Sequence, residues 1–274
     1  MNRPNDITLP FFAYGIFKPG QLCYSRIGDL VAKTTECTVP GFLKERDGIP
    51  LLVLEKNYSK IKGYLIHFIV GEEVNAYDRI ISIEPDEVYR WNLVKVNDSN
   101  ANVLVGKRDQ RGSSDLEHFD EWDGKTDPFF KQGLEEVEAI LRANSEFDLE
   151  FRALLRLQMA YSLLWSAIER YAGLKYHLGK NSTEKVNKIA SEKCFADALR
   201  KFVKIERQVF STTDLKEYTL DPNDPKKSIQ YYYQVRCNAI HRGKAMGRDF
   251  DTIKSSVEEL LAIFKELLQK SFEH

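Results

Sequence analysis

The spacing of apolar residues changes once along this chain, and that change restricts the fold more than any other feature. Up to about Val105 the apolar residues come in short runs: "LPFFAYGIF", "IPLLVLE", "KIKGYLIHFIV", "VYRWNLVKV" and "ANVLVGK". These runs are β-branched or aromatic and are bounded by Gly and Pro, which predicts strands. Two stretches between them, "QLCYSRIGDLV" and "GEEVNAYDRIIS", predict short helices. From about Asp148 the apolar step becomes three and four. Leu154, Leu157, Tyr161, Leu164, Trp165 and Ile168 then share one helical face. Ile253, Val257, Leu260, Leu261, Phe264, Leu267 and Leu268 do so near the end of the chain. "NSTEKVNKIASEKCFADALRKFV" and "DPNDPKKSIQYYYQVRCNAIH" predict two more helices. Residues 106–128 are polar and rich in Gly, Ser and Asp, as a linker is, and Asp127-Pro128 then opens a helix. The expected fold class is therefore α+β. A small mixed β-barrel domain covers residues 1–108, a linker and connecting helix cover 109–146, and an all-α antiparallel helical bundle covers 147–274.

Charge divides along the same line. Residues 1–150 hold 18 Lys and Arg against 26 Asp and Glu, a net −8, and residues 151–274 hold 22 against 15, a net +7. A basic half suits a polyanionic partner and an acidic half does not. A solvated helix surface carries such an excess equally well. The four cysteines (Cys23, Cys37, Cys194 and Cys237) include no C-x-x-C pair, so no zinc site, no redox pair and no cofactor is expected. Reduced thiols, no apolar run near 18 residues and no signal-like N-terminus predict a cytoplasmic protein away from the membrane.

Two clusters carry chemistry. The first is "FAYGIFKPGQ", residues 12–21. "YGIFKPGQ" resembles the Tyr-Gly-x-Leu-(Arg/Lys)-x-Gly opening of the γ-glutamylcyclotransferase-like (AIG2-like) superfamily. "GFLKERDGIPLLV", "KIKGYLIHF" and "AYDRIISIEPDEVYRWNLVKV" resemble its later landmarks in the same order, over roughly residues 8–108. The resemblance implies release of 5-oxoproline by attack of a substrate's α-amino group on its own γ-amide carbonyl. It implies that Tyr14, Gly15, Ile16 and Phe17 bind a small γ-glutamyl-like ligand and that Glu84 is the general acid/base. Glu84 comes six residues after Asp78 where the family usually has three, and Pro85 replaces a glycine. A glutamate in an apolar pocket, with its pKa raised, suffices for that proton transfer. Tyr14 and Phe17 also suit the core of a strand.

The second is "RCNAIHRGK", residues 236–244. Arg236 and His241 stand five apart with Asn238 between them. Five residues turn a helix about 140° beyond one revolution, so the pair converges only at a helix end or across an interface. "YYYQVRCNAIHRGKAMGRDFDTIKSSVEELLAIFKELL" resembles the Arg-x(4–6)-His phrase of HEPN domains and the helix that closes them. The resemblance implies metal-independent RNA cleavage at a homodimer interface, with Arg236, His241 and Asn238 in the catalytic site. Arg242, Lys244 and Arg248 would hold the RNA backbone. Histidine can move the proton near neutral pH, and arginine can clamp the phosphate. Glu169 is a candidate to orient Arg236. In the run Tyr231-Tyr232-Tyr233 the rings cannot all face one way, and one of them suits stacking on a base or packing in the core.

The leading expectation is thus a HEPN-type ribonuclease or RNA-binding effector controlled by a γ-glutamylcyclotransferase-like domain. Two alternatives stay open. Either the chemistry lies at Glu84 and the helices dimerise, or neither half is catalytic and the protein binds a ligand or partner.

Overall fold

The structure is a computed structural model. It describes residues 1–46, 48–55, 60–97, 99–107, 114–116, 119–143, 151–176, 182–211, 215–241 and 246–273, with the backbone alone at 114–116, 151, 182, 240–241 and 246–248. The chain forms two compact units. The first comprises Met1–Lys125 with Leu174–His177 and Ser271–His274, and the second comprises Thr126–Gly173 with Leu178–Lys270. Among the described residues no helix is long and apolar enough to cross a membrane.

The first unit is built on a five-stranded sheet whose strands lie in the order Val31–Pro40 (β2), Lys60–Phe68 (β5), Phe11–Ala13 (β1), Ser99–Gly106 (β7) and Tyr89–Val96 (β6). Its central strand β1 (Phe11–Ala13) is buried at all three residues, which is why "FFA" shows no alternation. β1 runs antiparallel to β5 (Lys60–Phe68) and parallel to β7 (Ser99–Gly106). β5 buries Ile61 and Gly63 on one face in its first half and Ile66 and Phe68 on the other face in its second half, with Lys60, Lys62 and His67 exposed, so its alternation changes phase at Tyr64–Leu65. Gly63 is required there. A Cβ at that position would lie 2.5 Å from the Phe12 ring and 2.6 Å from the Ala13 carbonyl oxygen. The helix α1 (Glu73–Ile83) buries Ala76, Tyr77, Ile80 and Ile83. Its Tyr77 hydroxyl donates to Leu9 O at 2.7 Å and accepts from the buried Asn102 amide at 2.8 Å.

The barrel expectation is not met. The edge strands of the sheet, β2 (Val31–Pro40) and β6 (Tyr89–Val96), do not pair with each other, so the sheet is open. The strands β3 (Phe42–Arg46), β4 (Ile49–Val53) and β8 (Ser114–Leu116) form a separate sheet in the order β4-β3-β8. Closure needs a ladder across both edges. β2 instead leaves Ala32, Lys33, Thr35, Glu36 and Thr38 exposed, the polar dress of an edge strand.

The second unit is largely helical but not all-α. A π-helical turn at Phe129–Gly133 leads into α2 (Leu134–Ala143), and Asp127 caps the turn by accepting from Phe129 N–H at 2.9 Å. In α3 (Phe151–Tyr176) all six residues of the stripe from Leu154 to Ile168 are buried, as are all seven on α7 (Met246–Ser271). The stretch after residue 181 is two helices rather than one, α4 (Ser182–Ile189) and α5 (Lys193–Phe202). Glu192 sits at the break between them and accepts the Tyr171 hydroxyl. The departure from an all-α bundle is a hairpin before α6 (Pro225–His241), made of β9 (Arg207–Phe210) and β10 (Glu217–Leu220). These strands are four residues each, too short to carry a visible alternation, and they lie against α6.

Candidate functional site

Pro85 positions Glu84. A proline ring disfavours helical backbone at the residue before it. Glu84 is accordingly extended, with ψ 124°, while its N–H still closes the last turn of α1 on Ile80 O at 3.0 Å. Its side chain is only 7% exposed and lines a pocket with Phe11, Ala13, Tyr14, Gly15, Ile16, Phe17, Pro50, Tyr89 and Leu104. The cavity is small, about 20 Å³, room for a water-sized group, so a larger ligand would have to enter from the open side or part the walls. All four loop residues expected to bind a ligand therefore meet Glu84 in one place.

The polar groups of this pocket are few. The Tyr14 hydroxyl donates to Leu104 O at 2.8 Å and accepts from Leu52 N–H at 3.1 Å. The Tyr89 hydroxyl donates to Pro50 O at 2.6 Å. Burial, and then the nearby Glu84 charge, hold both hydroxyls above their usual range, so they stay neutral with their protons already in use. Glu84 Oε2 is buried and has no hydrogen-bond partner. Desolvation pushes the Glu84 carboxyl up to about 8. A carboxyl so placed can both give and take a proton near neutral pH. The turn closed by Lys18 N–H on Gly15 O, at 3.0 Å, leaves the N–H groups of its two central residues, Ile16 and Phe17, outside its own hydrogen bond.

The second cluster lies on α6. The Arg236 guanidinium is 6.0 Å from the Trp165 ring and 5.7 Å from the Tyr233 ring. Its Nη2 is 3.9 Å from Glu169 Oε1, an oxygen that also accepts from Trp165 Nε1 at 3.0 Å. Arg236 Nε is buried without a partner. Asn238, two residues on, faces the opposite way, because two residues turn a helix by about 200°. Its amide donates to Phe210 O at 2.8 Å and accepts from Gln234 Nε2 at 2.9 Å, which ties α6 to the hairpin. The structure thus separates Asn238 from Arg236. Of the tyrosine run, Tyr231 and Tyr232 are core residues and Tyr233 is the ring beside Arg236. The side chains of His241, Arg242, Lys244 and Arg248 lie outside the described residues.

Sequence reasoning missed Phe11, Ala13, Pro50, Tyr89 and Leu104 as pocket residues. Each sits in a run that reads only as a buried strand, and none carries a chemical signal of its own. The comparisons with known proteins add little. No family model matches the chain, and no curated protein matches it. The solved structure of an uncharacterized protein from Pyrococcus horikoshii aligns at 19% identity over 40% of this chain and 86% of that one, with a TM-score of 0.33. A score of that size does not establish a shared fold.

Proposed function

We propose that the first unit is a small-molecule site working by general acid/base chemistry at Glu84, of the cyclotransferase type. The observation that carries this is a buried carboxyl with an unpartnered oxygen, facing an apolar pocket walled by the loop that resembles the γ-glutamylcyclotransferase signature. In the proposed reaction the Glu84 carboxylate takes a proton from the substrate's α-ammonium group. The amine then attacks the γ-carbonyl carbon and forms the ring C–N bond. The bond to the leaving amine breaks as that amine receives the proton from Glu84, and the second proton, shed by the ring nitrogen, passes through the regenerated Glu84 carboxylate to the freed amine, which leaves as an ammonium ion. The products are 5-oxoproline and a free amine. Such proton transfer contributes roughly 10²–10⁴-fold to a rate. Purified protein incubated with γ-glutamyl amines and dipeptides should release 5-oxoproline, and Glu84→Gln should lower the rate at least about 100-fold. An undiminished rate in that variant would remove Glu84 from the chemistry.

A second reading concerns the helical unit, as an RNA-directed effector or a dimerising module under control of the first. It is favoured by Arg236, a guanidinium between two aromatic rings with a buried N–H still unpaired. RNA or a second copy of the chain would be its partner. Cleavage of labelled transfer RNA in EDTA by the wild type, lost in Arg236→Ala, is the expected result. Equal cleavage by the variant would leave the helical unit without a catalytic role for Arg236.

A further inference from the structure

The polar stretch at residues 120–125 is held to the first unit by a series of directed bonds. Lys62 N–H donates to Asp120 O at 2.7 Å, and the Lys62 ammonium pairs with the Asp120 carboxylate at 2.9 Å. The Lys18 ammonium donates to Glu121 Oε1 at 2.8 Å and to Trp122 O at 2.6 Å. Gln21 donates to Asp123 Oδ1 at 2.8 Å and accepts from Gly124 N–H at 3.0 Å. A Cβ on Gly124 would lie 2.8 Å from the Trp122 ring and 3.0 Å from that Gln21 oxygen, so the fit allows only glycine. Trp122 is buried, and its indole N–H donates to Gly48 O at 3.2 Å.

These bonds fall next to two of the segments that line the Glu84 pocket. Lys18 and Gln21 directly follow the loop that supplies Tyr14, Gly15, Ile16 and Phe17 to the pocket. Gly48 stands two residues before Pro50, which also lines the pocket and packs against Gly15 of the loop. Lys18 is 2% exposed. Removing an ammonium from water costs several kcal/mol unless it is paired, and a methionine of similar length would fill the space without that cost. The bonds of Lys18 to Glu121 and Trp122 tie this residue, which follows the loop, to residues 121–122.

We infer that Lys18 and Gln21 are positioning residues, which lock the loop against residues 120–124 so that the pocket stays closed around Glu84. Neither lines the pocket, so both act through the loop. The inference rests on reading the Glu84 pocket as the ligand site, but its test does not depend on any turnover. Among the described residues, the titratable groups that share the pocket with Glu84 are Tyr14 and Tyr89.

The test follows the Glu84 carboxyl by ¹³C NMR across a pH titration of the full chain, assigned by its loss in Glu84→Gln. In the wild type it should titrate well above an ordinary glutamate. In Lys18→Met and in Gln21→Ala, the loosened loop admits water, and the midpoint should fall by about one pH unit or more. Asp78→Asn breaks the exposed Arg3–Asp78 pair in the same unit and should leave the midpoint in place. Should Lys18→Met fail to fold, Gln21→Ala decides alone. A folded Gln21→Ala or Lys18→Met protein with an unmoved Glu84 midpoint would overturn the inference. Absence of 5-oxoproline release would count against the proposed reaction and leave this result standing.

Discussion

Replacing Glu84 by glutamine should stabilise the first unit above pH 8 and leave it nearly unchanged below pH 4.5. The sign follows from proton binding. Burial raises the folded-state pKa of this acid from 4.5 to about 8. Below 4.5 the group is protonated in both folded and unfolded chains, so it costs nothing. Between 4.5 and 8 the unfolded chain releases the proton while the folded one keeps it, and stability falls as pH rises. Above 8 the loss is complete. At about 1.4 kcal/mol per pH unit it reaches on the order of 5 kcal/mol. Glutamine has the same shape and does not titrate, although its amide brings a second donor that needs a partner. The measurement is urea unfolding of wild type and Glu84→Gln at pH 5 and pH 8.5, followed by the fluorescence of Trp91 and Trp122. A difference that does not grow between the two pH values would show that Glu84 is solvated and would end its candidacy. An expected gain of this size also bears on function. Retention of so costly a group in a pocket is a physical reason to regard the pocket as a working site.

The parts of that site were unequally legible in the sequence. Tyr14, Gly15, Ile16, Phe17 and Glu84 were named through the resemblance of their segments to the cyclotransferase-like signature, and nothing local to either segment says that the two meet. The helix ending at Glu84 follows from Pro85 alone. The stripes on α3 and α7 were readable for the same local reason, since a helix repeats its contacts within a few residues. Strand pairing is not local. Nothing near Val31–Pro40 says that it pairs with Lys60–Phe68 at an open edge, and its exposed threonines and charges hide it from a search for apolar runs. The barrel expectation lacked β2 and β8 and could not count ladders. Residues 120–125 are a different case. They are held by hydrogen bonds and ion pairs, which leave no apolar period. The signal in that stretch is Trp122, a large apolar ring in an otherwise polar run. Asn238 was set beside Arg236 by the resemblance to the HEPN motif, and helical rotation puts the two on opposite faces.

The largest destabilisation in the helical unit is expected from breaking the pair between Arg207 on β9 and Glu259 on α7. The guanidinium forks onto the carboxylate, with Nη1 to Oε1 at 2.9 Å and Nη2 to Oε2 beside it. Glu259 also accepts the Tyr232 hydroxyl at 3.2 Å, and Arg207 Nε donates to the Tyr231 hydroxyl at 3.4 Å. The Tyr161 hydroxyl donates to Tyr232 O at 2.8 Å, so the network joins the hairpin, α7, α6 and α3. Burial would lower the pKa of the Arg207 guanidinium, but its bonds to Glu259 and Tyr231 outweigh that and hold it above the usual range. Removing one partner from a buried pair costs about 3–5 kcal/mol, because the other charge is stranded. Here the side chains remain 24% and 17% exposed, so water recovers part of that cost. Arg207→Met and Glu259→Leu should each destabilise by roughly 2–4 kcal/mol. The double variant strands no charge and should lose less than either single change, a coupling that thermal unfolding followed by circular dichroism can read as a double-mutant cycle. If the two losses simply add, the pair is an ordinary surface bridge. The hairpin would then owe its place against α6 to its other contacts, the Asn238 bond to Phe210 O among them.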